Sequence, residues 1–257
     1  MKTVKKLKTI LKLLSVLTVF LCVEPALAVD TVVKAAIGKK SSELVIRDRR
    51  FTPDFTTLAI ALTIAQDRYF VTVDNEISIK DDITTFDDAN DAFDGLIFFS
   101  REDLNITVGY TLDMLTVFGG IRQGTTDAFY SAQSTAFGTR SAGFYAGASS
   151  SYFVEGIGNF TGSAAIASLD GEVSLNEPFV DTTAFTVLTP PANIRGSALG
   201  LSLALAFQGE ISANTVYSIE FKLNRFDFED DVVFGGLDLS YQENFSTLYL
   251  GLTYFFE

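Results

Sequence analysis

The sequence predicts an all-β protein, an antiparallel up-and-down transmembrane β-barrel of about ten strands, with eight or twelve as the alternatives. Three observations carry this. Stretches of 8–12 residues alternate aliphatic with polar or small residues, which puts one apolar face on each strand. Short turns near 66–67, 113 and 208–214 alternate with longer acidic or Pro-bearing connections at 80–95, 123–139, 170–195 and 227–243. Transmembrane barrels show that asymmetry. Finally, 47% of residues are hydrophobic, yet neither the N-terminal apolar run nor any later stretch is an uninterrupted apolar segment of helix-spanning length. Closed barrels are the other structure that satisfies every backbone polar group in a bilayer.

The chain divides into three parts. In residues 1–28, Lys2, Lys5, Lys6, Lys8 and Lys12 precede an apolar run from Leu13 to Val23, followed by Pro25 and Ala26-Leu27-Ala28. A basic region, a short apolar region and an A-x-A site make a secretory signal peptide cut after Ala28. The sole cysteine, Cys22, leaves with it, so the mature chain forms no disulfide. Cleavage removes five Lys and one Glu from 19 basic and 32 acidic residues, leaving 14 against 31 and a net charge of −17. Such a surface disfavours nucleic acid and suits divalent cations, or an outer leaflet bridged by them. Residues 29–53 hold the basic cluster Lys34, Lys39, Lys40, Arg47, Arg49 and Arg50 and read as a tail, a plug or a first strand. Residues 54–257 form the barrel.

Within the barrel the strands follow in order. Leu58, Ile60, Leu62 and Ile64 share a face opposite Thr57, Ala59, Ala61 and Thr63. After Gln66-Asp67 the returning strand sets Tyr69, Val71, Val73, Ile77 and Ile79 outward against Phe70, Thr72, Asp74, Glu76, Ser78 and Lys80. The spacing in the Asp-rich stretch 81–95 does not match an EF-hand loop, which needs a Gly at its sixth position and a terminal Glu, so a solvated loop is expected, and no metal or other cofactor. The next hairpin places Leu104, Ile106, Val108, Tyr110 and Leu112 on one face, Arg101, Asp103 and Asn105 on the other, and Arg122 inward on its second strand. Residues 141–152 and 159–169 are rich in Gly, Ala and Ser, so their lipid face is thin. Leu199 to Phe207 alternates with Ala198 to Gln208, and Tyr217, Ile219, Phe221 and Leu223 oppose Ser218, Glu220, Lys222 and Asn224. The last strand carries Leu248, Leu250, Leu252, Tyr254 and Phe256 on its outer face.

Two stretches resemble a known family. The closing pattern Gly251-x-x-Tyr254-x-Phe256 resembles the C-terminal assembly signal of bacterial outer-membrane β-barrels, here with Glu257 after the final aromatic. Residues 103–120, with Gly109-Tyr110, a short turn and Phe118-x-Gly120, resemble the strand–turn–strand of small members of that group. The resemblance implies an integral outer-membrane protein recognised by the barrel-insertion machinery, with membrane lipid and lipopolysaccharide as its surroundings. The enzymes of the outer membrane depend on a His, and this chain has none, so no catalysis is expected.

The most informative constellation is the inward charged set Asp74, Glu76, Lys80, Arg101, Asp103, Arg122, Glu220 and Lys222. Paired, these charges fill a narrow lumen. Hydrated, they line a constriction that selects small solutes. A narrow porin-like channel is the leading expectation. The alternatives are a non-conducting surface barrel, acting in adhesion or envelope stabilisation through acidic outer loops, and a carrier of apolar molecules.

Overall fold

The computed structural model describes residues 30–46, 49–80, 82–85, 96–130, 135–175, 179–181, 186–188, 192–230 and 241–256. The expected signal peptide lies outside these residues. Ten long strands build the wall: β1 (Asp30–Ile46), β2 (Asp54–Gln66), β3 (Tyr69–Lys80), β4 (Leu96–Leu112), β5 (Leu115–Tyr130), β6 (Thr135–Val154), β7 (Gly158–Leu175), β8 (Ala192–Ser212), β9 (Thr215–Asp230) and β10 (Tyr241–Phe256). Each pairs antiparallel with its neighbour in sequence, and β1 pairs with β10 to close the barrel. Short strands Arg49–Phe51 and Asp82–Thr85 extend it at one end, and Phe179–Asp181 pairs with Thr186–Leu188 as a separate hairpin.

Closure fixes the tilt. Following the register from Thr31 through Ile64, Val71, Val108, Gly119, Ala146, Ile166, Leu201, Arg225 and Asn244 returns to β1 at Glu43. That is a stagger of twelve residues along the strand. Ten strands with this stagger tilt by about 40° from the barrel axis.

The turns at one end are tight. Gln66 pairs with Tyr69 and Leu112 with Leu115, leaving two residues in each loop, and Asp67 and Asp113 stand there at φ 55° and 50°. Asp tolerates this left-handed region, which two-residue hairpins require. Both described termini lie at the same end, with Thr31 opposite Phe256. An even strand count with short turns and termini together matches the outer-membrane pattern.

The strands overrun several expected connections. β5 and β6 occupy most of 123–139, while β7, β8, β9 and β10 reach to Leu175, back to Ala192, to Asp230 and back to Tyr241. The expected turn at 208–214 narrows to Ala213-Asn214. The physical reason lies in which face is apolar. In the half nearer the tight turns, the outward residues are aliphatic and exposed, as with Val108 at 55%, Leu205 at 68% and Leu250 at 57%. From Leu248 to Phe256 that band spans nine positions, about 20 Å along the axis. Farther along the same strands the apolar residues change sides. Phe55, Phe99, Phe226, Phe228 and Phe245 point into the barrel and are buried. Outward positions beside them are Lys39, Asp54, Arg195, Arg225 and Asp227. This upper half is a water-facing sheet with a core of its own.

Candidate functional site: the interior of the barrel

The interior has three layers. Uppermost is the apolar core, in which Leu44, Phe51, Phe55, Phe99, Leu169, Val173, Phe226, Phe228, Tyr241 and Phe245 form one cluster. Phe55, Phe99 and Val173 have no exposed surface. These residues come from β1, β2, β4, β7, β9 and β10 and from Arg49–Phe51, so the cluster is fed from around the wall. Phe228 stacks on Tyr241 with centroids 4.2 Å apart, and Phe51 lies 6.0 Å from Phe99. Opposite, β7 supplies Gly171, where a Cβ would collide with the Tyr241 hydroxyl and the Phe228 ring.

Beneath the core lies a charge network. Arg101 donates from Nε to Asp103 at 2.9 Å and from Nη2 at 2.8 Å, and from Nη1 to Thr126 at 2.7 Å. Its Nη1 also lies 3.6 Å from Glu243 on β10, which accepts from Thr139 at 2.8 Å. Lys40 on β1 donates to Glu76 at 2.7 Å and to Asp103 at 2.8 Å, and Arg122 reaches Asp103 at 3.1 Å. Tyr249 donates to Glu76 at 2.8 Å. The network thus braces β1, β3, β4, β5, β6 and β10 through the lumen. Arginine planes cap the aromatic layer, with Arg101 3.9 Å from the Phe245 centroid and Arg122 4.8 Å from that of Phe226. Asp103 satisfies two arginines and a lysine because a carboxylate accepts several charge-assisted bonds.

The lowest layer is a cavity of ≈ 480 Å³ that includes Val32, Thr63, Thr253 and Phe255 near the tight-turn end. Asp74, Asn105, Arg122, Glu220 and Lys222 line it, and also line an adjoining cavity of ≈ 180 Å³ beside Tyr145 and Phe226. Lys34 donates to Glu220 at 2.6 Å, and Asn105 to Asp74 at 2.7 Å.

The fold has a solved counterpart. The outer membrane protease OmpT from Escherichia coli superposes with a TM-score of 0.50 at 12% identity, over 89% of this chain and 96% of that one. The fold is that of bacterial outer-membrane β-barrels. The translocator domain of autotransporter NalP from Neisseria meningitidis also aligns, over 98% of this chain and 97% of that one, with a TM-score of 0.47 and 10% identity. No family model and no curated protein matches the sequence.

Of the residues singled out from sequence, Glu76, Arg101, Asp103 and Arg122 meet in the network, while Asp74, Glu220 and Lys222 line the cavity. Lys80 ends β3, opposite Thr56, and its side chain lies outside the described residues. Gly251, Tyr254 and Phe256 sit on the closing strand, where the Tyr254 and Phe256 rings meet edge-on at 4.7 Å on the outer face. Sequence reasoning missed the interior roles of Lys40, in the stretch 29–53 that reads as a tail, a plug or a first strand, and of Glu243, in the expected connection 227–243. It also missed the aromatic core. The signal that would have found the core is the change of parity within one strand, from Leu248 outward to Phe245 inward and from Leu223 to Phe226. Among the described residues no group of three or more His, Cys, Asp or Glu side chains is placed to hold a metal ion.

Proposed function

We propose that the protein is a non-conducting barrel of the bacterial outer membrane. Its interior is a structural core, and its outer rim displays acidic connections for adhesion or envelope stabilisation. The observation that carries this is the apolar cluster across the upper lumen, whose members are all buried, Phe55 and Phe99 with no solvent-exposed surface. An aqueous path for a hydrophilic solute would have to cross that layer. The charged set, which supports a narrow porin-like channel only if it is hydrated, is largely paired beneath it, and paired charges fill a lumen rather than hydrate it. The reading as a carrier of apolar molecules relies on the thin wall of residues 142–148 on β6, which pairs with β7. Those strands pair without interruption from Phe137–Leu175 to Val154–Gly158, which favours a sealed wall.

On this reading the tight-turn end faces the periplasm, and the acidic surface meets lipopolysaccharide through divalent cations. The barrel-insertion machinery takes Gly251, Tyr254 and Phe256 as its cue. No catalysis is assigned, because the chain offers no His as a general base. The test is planar-bilayer recording with the refolded mature protein. The expected trace stays at baseline, and reproducible single-channel steps would overturn the proposal.

A further inference from the structure

One interior cation and one interior anion stand outside the close ion pairs. Lys34, Lys40, Arg101 and Arg122 each stand in an ion pair, as do Glu76, Asp103, Glu220 and Glu243. Asp74 on β3 and Lys222 on β9 do not, among the described residues. Asp74 accepts one hydrogen bond, from Asn105, and no described residue accepts one from the Lys222 ammonium. Both line the ≈ 480 Å³ cavity and its ≈ 180 Å³ neighbour. Three strands, β2, β1 and β10, separate them around the wall, so they face the space from different sides. At the inner end two further atoms are buried without a protein partner, Arg122 Nε and Glu76 Oε1. Both belong to side chains that are 10% exposed.

A buried ion is stable when an opposite charge and hydrogen bonds replace its hydration. Direct pairing of Asp74 with Lys222 would achieve this, yet the two stay beyond ion-pair distance, with Lys222 acting through space on both Asp74 and Glu220. Asp74 and Lys222 both line a cavity of the size that takes small ligands. One molecule carrying both signs meets both needs together. An ammonium group would donate to Asp74, and an acid group would accept from Lys222 and Arg122 Nε.

We propose that this cavity is a dead-end pocket, entered from the tight-turn end, that binds a small zwitterionic solute of the amino-acid type. Asp74 anchors the ammonium and Lys222 the acid group. A singly charged solute leaves one of the two anchors unanswered, which is the source of selectivity. The inference rests on the closed barrel to the extent that the aromatic layer forms the pocket's blind end.

The test is isothermal titration calorimetry on the refolded full-length mature barrel. The probes are glycine, 4-aminobutyrate and 6-aminohexanoate, three spans between ammonium and carboxylate. Butyrate and butylammonium are the single-charge controls. At least one zwitterion should bind saturably and about tenfold or more tighter than both controls. Asp74→Asn and Lys222→Gln should each weaken that binding by about tenfold, while keeping the heat-modifiable gel shift of a folded barrel. Saturable binding by none of the three, or equal binding of butyrate, would overturn the pocket. Bilayer recording on the same preparation separates the two ideas. Saturable zwitterion binding together with channel steps would remove the closed barrel and keep the pocket. Absence of both would remove the pocket and keep the closed barrel.

Discussion

Replacing Arg101 with Ala tests whether the lumen charges are a buried brace. The side chain is 2% exposed and holds both Asp103 oxygens, Thr126 and the ring of Phe245, with Glu243 3.6 Å away. Its loss leaves Glu243 buried with a hydrogen bond from Thr139 as its remaining described polar contact. Removing one partner of a buried pair costs ~3–5 kcal/mol, chiefly through the charge left behind. A desolvated cation–π contact adds up to ~2 kcal/mol. Asp103 keeps Lys40 and Arg122, so the contributions do not sum and the net loss should be ~3–5 kcal/mol. For a chain of this size that lowers the melting temperature by about 6–20 °C. The assay is equilibrium denaturation in detergent, with the heat-modifiable gel band as a second readout. Arg225→Ala is the control, because its pair with Asp227 at 3.0 Å is mostly solvent-exposed and should matter by ~0.5 kcal/mol or less. If Arg101→Ala costs no more than this control, the interior charges are hydrated and the bracing argument fails.

Two further substitutions probe the wall. Leu203→Arg places a charge on the lipid face, where it costs ~2–4 kcal/mol near the midplane, whereas Ser202→Arg enters the smaller cavity and should cost less; equal loss of folding yield would contradict the assigned facing. At Gly38 an added Cβ would stand 2.6 Å from the Tyr249 ring, which must then swing away from Glu76. Gly38→Ala should therefore lower stability by ~1–3 kcal/mol, and a neutral result in denaturant titration would show that the ring moves freely.

The lipid-facing half of the fold was legible because lipid enforces a uniform rule. Every outward side chain from Leu58 to Ile64, or from Leu248 to Phe256, must be apolar or aromatic. The upper half was illegible for a related reason. Once a strand leaves the bilayer its outward side meets water and its inward side meets other strands, so the alternation reverses. At Gln123, Thr125 and Asp127 the outer face turns polar while Ala128 is buried inside, and a reading tuned to aliphatic outer faces takes the stretch for a loop. The same reversal hid Phe55 and Phe99. The lumen charges were found by parity, but which of them touch was beyond the sequence. The contact from Arg101 to Glu243 joins residues 142 positions apart, through a stagger that only closure defines.

That reversal of parity makes the protein a stack of two barrels made from one set of strands, each assembled by a different solvent. The lower barrel exists because hydrocarbon surrounds it, and the upper one because water does. Perturbations should therefore sort by phase. Lipid thickness and detergent chain length act on the band that ends at Leu248 and Leu223. Urea, salt and temperature act first on the layer of Phe55, Phe99 and Phe228. The line where the apolar side chains cross from outside to inside also marks one edge of the bilayer, strand by strand. A spin label walked along β9 from Leu223 to Phe228 would read that boundary at the outward positions, as a switch from oxygen-accessible lipid at Leu223 to water at Arg225 and Asp227, while Phe226 and Phe228 report closed core.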